Sequence, residues 1–256
     1  HCSSEQSEDS ELRLRDMGLI KLAIGDAVLT FFWVFCVSTL GVCTSLIASA
    51  LGVQGLATLL ITVLLVYVLV IFSSFAGDAL GGASFNVTGN AALYVAGVGS
   101  ENLISLAVRI PAQAAVAVGG ALAISEVMPI QYKHMVGGPS LKVDLHTGAL
   151  AEGILTFAIS FSVLLITLRC PRSPLIKMWL VAMSIVALVA AGSGFTGPSM
   201  NPANAFGWAY LNNQHNSWEQ IYVYWACPFV GAILAAWTFR LLFSAATPKQ
   251  KKKKKA

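Results

Sequence analysis

Two acidic residues lie inside otherwise apolar stretches of this chain, and the residues around them follow one pattern twice. Asp26-Ala27-Val28-Leu29-Thr30-Phe31 is matched 126 positions later by Glu152-Gly153-Ile154-Leu155-Thr156-Phe157. Two apolar stretches beyond each acid comes a short segment that opens with asparagine, beginning at Asn86 and at Asn201. A chain that repeats an acid, a gap and an asparagine-led segment in this way is built from two related halves. An intramembrane acid is costly unless it has partners, so each half must supply them.

The setting of the repeat is a membrane. Of 256 residues 56% are hydrophobic and 11% charged, against about a quarter charged in soluble domains. Six apolar stretches, roughly 18–44, 53–75, 103–125, 147–168, 175–192 and 220–243, approach or exceed the ~20 residues that a spanning helix needs. Two more, about 86–98 and 201–211, are too short to cross at ~1.5 Å per residue and would reach about halfway. Each half then holds three spans and one half-helix, and an odd number of spans turns the second half upside down. Inverted repeats with broken helices place a site near the bilayer midplane. The expected fold is an all-α membrane protein of six transmembrane helices and two re-entrant half-helices, with one repeat over 17–130 and the other over 131–245.

The polar ends stand apart from this body. Residues 1–16 lack the apolar core of a signal peptide and read as a disordered extension, with Met17 a candidate start of the folded part. Residues 246–256 form a basic tail that self-repels and has nothing apolar to bury. Arg169, Arg172 and Lys177 follow the fourth span and Arg240 ends the sixth. The excess of basic residues on cytosolic connections therefore puts both termini in the cytosol. Lys253 and Lys254, fourth and third from the end, fit a dilysine retrieval pattern and point to the endoplasmic reticulum. The tail faces anionic lipid headgroups rather than nucleic acid. Five cysteines, an odd number, suggest no disulfide framework.

Asn86-Val87-Thr88 has the form of a glycosylation acceptor, yet on this topology it lies at membrane depth, where no glycan is attached. Asparagine also caps helix N-termini through its side-chain oxygen, and Pro202 suits the position just inside a helix start. With both caps made, the amide NH2 groups of Asn86 and Asn201 point into the space between the half-helices. There they can bind the oxygen of water, while two helix dipoles turn positive ends toward the same point and oppose cations and protons. Backbone carbonyls of Gly81–Ser84 and Gly197–Met200 would line the path, since irregular backbone at this depth is tolerated where it borders a wet cavity. These residues read as a narrow pore for water or a small uncharged solute.

At this point the sequence resembles the aquaporin, or major intrinsic protein, family, marked by two Asn-Pro-Ala boxes on half-helices. Asn201-Pro202-Ala203 is intact, and Asn86-Val87-Thr88 stands for the first box. The flanking GGASFN and TGPSMN stretches and the Thr-Phe pairs after the acids match as well. The altered first box and lysine-rich end look like the small basic intrinsic proteins of plants, which the family places in the endoplasmic reticulum. The resemblance implies a homotetramer with one pore per subunit and a second constriction. Counting from the boxes puts that constriction at Val66, Val189, Pro198 and Asn204. Most of the family has arginine where Asn204 stands, so this filter is neutral and mostly apolar. Val87 restores an N–H where proline is usual, and Thr88 adds a hydroxyl and volume where alanine is usual. A displaced Asn86 would lose the paired-donor geometry.

Other chemistries fit these residues less well. Asp26 and Glu152 as proton relays would make a transporter; their symmetric placement favours acceptors that hold each loop open through its backbone N–H groups. His134 and His146 read as ordinary loop histidines. Gly119 and Gly120 read as close helix packing. There is no HExxH, no GxSxG and no phosphate-binding glycine loop, so no enzyme, metal or cofactor is expected. The alternative to a passive channel is a non-conducting membrane scaffold with an altered pore, and a secondary transporter ranks third.

Overall fold

The computed structural model describes the backbone of residues 2–99, 102–169 and 171–243, and side chains from residue 18 onward within those ranges. The lysines of the expected retrieval signal, Lys253 and Lys254, and the rest of the basic tail lie outside the described residues. Six helical stretches are long and apolar enough to span a membrane: Gly18–Leu51, Leu56–Ala79, Leu103–Val127, Leu145–Leu168, Pro174–Gly192 and Trp218–Phe243. The first belongs to α1, Cys2–Leu51, and the next two are α2, Leu56–Ala79, and α4, Leu103–Val127. The fourth and fifth are α5, Leu145–Leu168, and α6, Pro174–Gly192. The sixth joins α8, Trp218–Ile221, through a π-helical turn to α9, Cys227–Phe243. The short helices are α3, Val87–Ala96, and α7, Pro202–Leu211.

Over residues 2–16, which the sequence suggests as a disordered extension, the backbone is helical and continuous with α1.

The halves are interlocked through their short helices. α3, from the first half, packs on α9, while α7, from the second, packs on α4. Each half-helix thus rests on the third span of the opposite half. Small residues permit these approaches. A Cβ at Gly207 of α7 would stand 2.6 Å from the carbonyl oxygen of Ala117 in α4, and one at Gly231 of α9 would collide with the carbonyl of Gly153 in α5. Gly120, read from sequence as a packing residue, meets the carbonyl of Phe31 in the same manner at 2.8 Å.

The π turn at Tyr222–Ala226 immediately precedes Pro228. Proline lacks an N–H and crowds the carbonyl four residues before it, here that of Tyr224, and a widened turn relieves both. Such turns often mark functional places. This one aims the Tyr224 hydroxyl at the carbonyl of Thr196, 3.4 Å away, in the stretch leading to α7.

Candidate functional site

The site is built where the N-termini of α3 and α7 meet. Asn86 and Asn201 both have extended backbone and cap their helices, as their neighbours require. Asn86 Oδ1 accepts from the Thr88 N–H at 3.0 Å and Asn201 Oδ1 from the Ala203 N–H at 3.2 Å. Caps of this kind contribute about 1 kcal/mol each.

Their amides form a reciprocal brace. Asn86 Nδ2 donates to the carbonyl of Met200 at 3.2 Å, and Asn201 Nδ2 donates to that of Phe85 at 2.8 Å. Each asparagine therefore holds the residue just before its counterpart. This corrects the expectation that both amides point unpaired into the space between: one hydrogen of each is used across the halves and one is left.

Thr88 strengthens the arrangement. Its hydroxyl lies 2.7 Å from Asn86 Oδ1 and 3.1 Å from the Met200 carbonyl, and its one proton serves either. Val87 is fully buried in the same apolar cluster as Ala203. Val87 is thus a packing element and the Thr88 hydroxyl bonds to the cap, while Asn86 Nδ2 stays within 3.2 Å of the Met200 carbonyl.

The stretches leading to the caps are held by the repeated acids, both fully buried. Glu152 Oε1 accepts from the Ser199 N–H at 3.0 Å and the Thr196 hydroxyl at 2.9 Å, while Oε2 accepts from the Met200 N–H at 3.1 Å. These bonds hold Met200 at a φ of 49°, a left-handed conformation unfavourable for a residue with a long side chain. Strain of this kind persists only where surroundings over-determine it. Asp26 Oδ1 accepts from the Ser84 N–H at 2.7 Å. The serine two residues before each asparagine thus meets the acid of its own half.

Sequence reasoning missed what else Asp26 holds. Arg109 of α4, 1% exposed, forks onto it, with Nε 2.6 Å from Oδ2 and Nη2 2.8 Å from Oδ1. Gln113, one turn on, donates to Oδ2 at 2.8 Å. Bidentate pairs are among the stronger polar contacts, and removing one partner of a buried pair costs about 3–5 kcal/mol. The signal was available: a lone arginine in an apolar span calls for a partner.

Beside the brace lies a cavity of about 380 Å³, and Val66, Val189, Pro198 and Asn204 all line it. These are the four residues that counting from the boxes places together. Trp33 and Trp208 add aromatic walls. The Trp33 ring also stacks on Phe85 with centroids 3.8 Å apart, so this wall is continuous with the brace. Asn204 Nδ2 donates to the Ser199 hydroxyl at 3.2 Å, and its buried Oδ1 has no protein partner. The segment Gly137–Pro139 closes another wall. It is tied down where Ser140 and Lys142 N–H groups donate to the carbonyls of Thr196 and Phe195 at 2.9 and 2.8 Å.

Among the described residues no group of three or more His, Cys, Asp or Glu side chains could hold a metal ion. His146 sits at the start of α5, its Nδ1 3.5 Å from the Tyr222 hydroxyl, and does not line the cavity.

Two matching halves, interlocked by half-helices whose caps brace one another beside a cavity, define a membrane channel rather than an enzyme. The model of the family described as major intrinsic protein matches residues 13–239, and the chain belongs to that family. Over 92% of its length it is 61% identical to aquaporin SIP1-2 of Zea mays, covering 97% of that protein. It is 53% identical to aquaporin SIP1-1 of Arabidopsis thaliana over 94% of its length, covering all of that protein. Probable aquaporin SIP2-1 of Arabidopsis thaliana is more distant, at 32% identity over 93% of the chain and 98% of that protein. These relatives are small basic intrinsic proteins of plants. Among solved structures, the aquaglyceroporin from Plasmodium falciparum aligns over 86% of this chain and 95% of that one, with a TM-score of 0.62. At 19% identity that likeness is one of fold.

Proposed function

We infer that the protein passively conducts water and small neutral solutes along a path past Asn86 and Asn201, with Val66, Val189, Pro198 and Asn204 as its selectivity constriction. The observation that carries this reading is the reciprocal brace, in which each amide donates to the carbonyl preceding the other cap. The brace sets both helix N-termini toward one point and leaves one N–H of each asparagine for a passing oxygen. The positive ends of the two helix dipoles oppose cations at that point.

Asp26 and Glu152 are supports of the pore loops, consistent with their bonds to Ser84, Ser199 and Met200. With Asn204 in place of arginine the constriction carries no fixed positive charge, which leaves ion exclusion to the half-helices. Residues 17–130 and 131–245 act as the two channel repeats. The protein assembles as a homotetramer, resides in the endoplasmic reticulum membrane and keeps both termini in the cytosol. The aquaporin names of the relatives and the basic residues around 169–177 support this reading.

Purified protein in liposomes, followed by light scattering after an osmotic shock, tests the function. Vesicles containing it should shrink faster than empty ones, and a bulky residue at Asn201 should abolish the difference. Equal shrinkage with and without protein would instead favour a non-conducting scaffold.

A further inference from the structure

The two halves hold their pore loops by different means. Glu152 does so by its own direct bonds, accepting from two loop N–H groups and a loop hydroxyl. Asp26 binds one loop N–H, that of Ser84, and its remaining acceptor capacity is taken by Arg109 and Gln113. Arg109 returns a contact to the loop, because its Nη2 donates to the carbonyl of Gly82 at 3.3 Å. Gly82 has a φ of 92°, a conformation that its own missing side chain does nothing to enforce.

We propose that Arg109 is a positioning residue for the first pore loop, supplying through its fork on Asp26 and its bond to Gly82 a hold that the Glu152 carboxylate gives the second loop without an arginine. The argument is geometric. A guanidinium presents several N–H groups in one plane and can span a carboxylate while still reaching a carbonyl, whereas an ammonium is a point charge that cannot keep this arrangement. The loop so held ends at Phe85 and Asn86, half of the reciprocal brace. The first loop accordingly needs arginine itself, not a positive charge, in α4. The inference rests on the channel reading for its functional consequence but not for its structural one.

The test uses the full chain in proteoliposomes, comparing wild type with R109K and with D26N/R109Q, which removes both charges of the pair. Two readouts are taken together: hydrogen exchange of peptides covering 80–86 and 195–201, and osmotic water permeability. In both variants exchange over 80–86 should rise about tenfold or more while that over 195–201 stays within about twofold. Water permeability should fall roughly fivefold with it, as the loop loses its place in the pore. Unchanged exchange over 80–86 in R109K would overturn the proposal, as would an equal rise in both loops, which marks general loosening. If D26N/R109Q does not fold, R109K decides. If wild-type vesicles shrink no faster than empty ones, the water-channel reading fails while the exchange comparison still decides the role of Arg109.

Discussion

The side-chain amide of Asn201 donates to the main-chain oxygen of Phe85 across a separation of 116 residues, at 2.8 Å. The bond ties the cap of the second half to the loop of the first. Replacing Asn201 with serine separates capping from bracing, because serine is a good N-cap but carries no amide to reach Phe85. N201S should keep its helical circular dichroism and lose about 0.5–1.5 kcal/mol of stability, the net worth of one internal hydrogen bond. Its water permeability in liposomes should drop at least as much as that of any other single cap variant. Wild-type permeability in N201S would show that the brace is dispensable.

The lock at Thr88 is tested by T88V, which preserves shape and removes the hydroxyl. Asn86 Oδ1 still receives the Thr88 N–H, and the Met200 carbonyl still receives Asn86 Nδ2, so no buried acceptor is orphaned. The expected cost is about 1 kcal/mol, or a melting temperature lower by roughly 2–4 °C for a chain of this size. Permeability should fall with it as Asn86 gains freedom. T88A, which makes the first box more like the second, should be no better than T88V.

What was legible in the sequence, and what was not, divides along physical lines. The spans could be read because a stretch with almost no charge has few places to go, and the half-helices because asparagine, proline and a length of about ten residues have local meanings. That Val66, Val189, Pro198 and Asn204 border one cavity could be counted from the boxes because the helix pitch converts sequence distance into height. The brace could not be read, since Asn86 and Met200 lie 114 positions apart and only the folded halves bring them together. Arg109 was readable in part. As the lone arginine of α4 it required a partner, yet Asp26 lies 83 positions away.

Glu152 supplies the cleanest test of loop support, because its contacts are all with one loop. In E152Q the single carboxamide oxygen can replace Oε1, but an NH2 then confronts the Met200 N–H that Oε2 accepted at 3.1 Å. Loss of a hydrogen bond to a charged group costs about 1.5–3 kcal/mol. Met200, released from a φ of 49°, should relax toward ordinary backbone and let go of the Asn86 amide. E152Q should therefore conduct poorly, with thermal unfolding in detergent lowered by several degrees. Unaltered conduction would remove Glu152 from the support of the pore.

Outside the spans, Asp144 caps α5, its Oδ1 accepting from the His146 and Thr147 N–H groups at 3.1 and 3.0 Å. Bonds from the Thr147 side chain and N–H, then from the His146 N–H, hold its carboxyl below the usual aspartate range. A carboxylate whose folded pKa is depressed stabilises the fold above its unfolded value and loses that contribution as pH falls through the folded one. The unfolded value is about 3.9. The melting temperature of wild type relative to D144N, which keeps a capping oxygen, should be steady from about pH 5 upward and decline below about pH 4. A difference independent of pH would show that the cap does not depend on charge.

In the proposed constriction Asn204 stands where the family resemblance implies arginine, so a change there should alter which solutes pass. Its side chain faces a cavity shared with Val66, Val189 and Pro198, and its amide is tied to Ser199. N204R would introduce both bulk and a fixed positive charge into that cavity, beside a loop whose backbone is already held by Glu152. The added length narrows the path for larger solutes, while the guanidinium can still donate to water. Glycerol or urea permeation in liposomes should fall roughly fivefold or more and water permeation less than about twofold, with cation leak no higher than in wild type. If both solutes and water pass N204R unchanged, Asn204 does not border the conducting path, and the narrowest point lies at the asparagine brace itself.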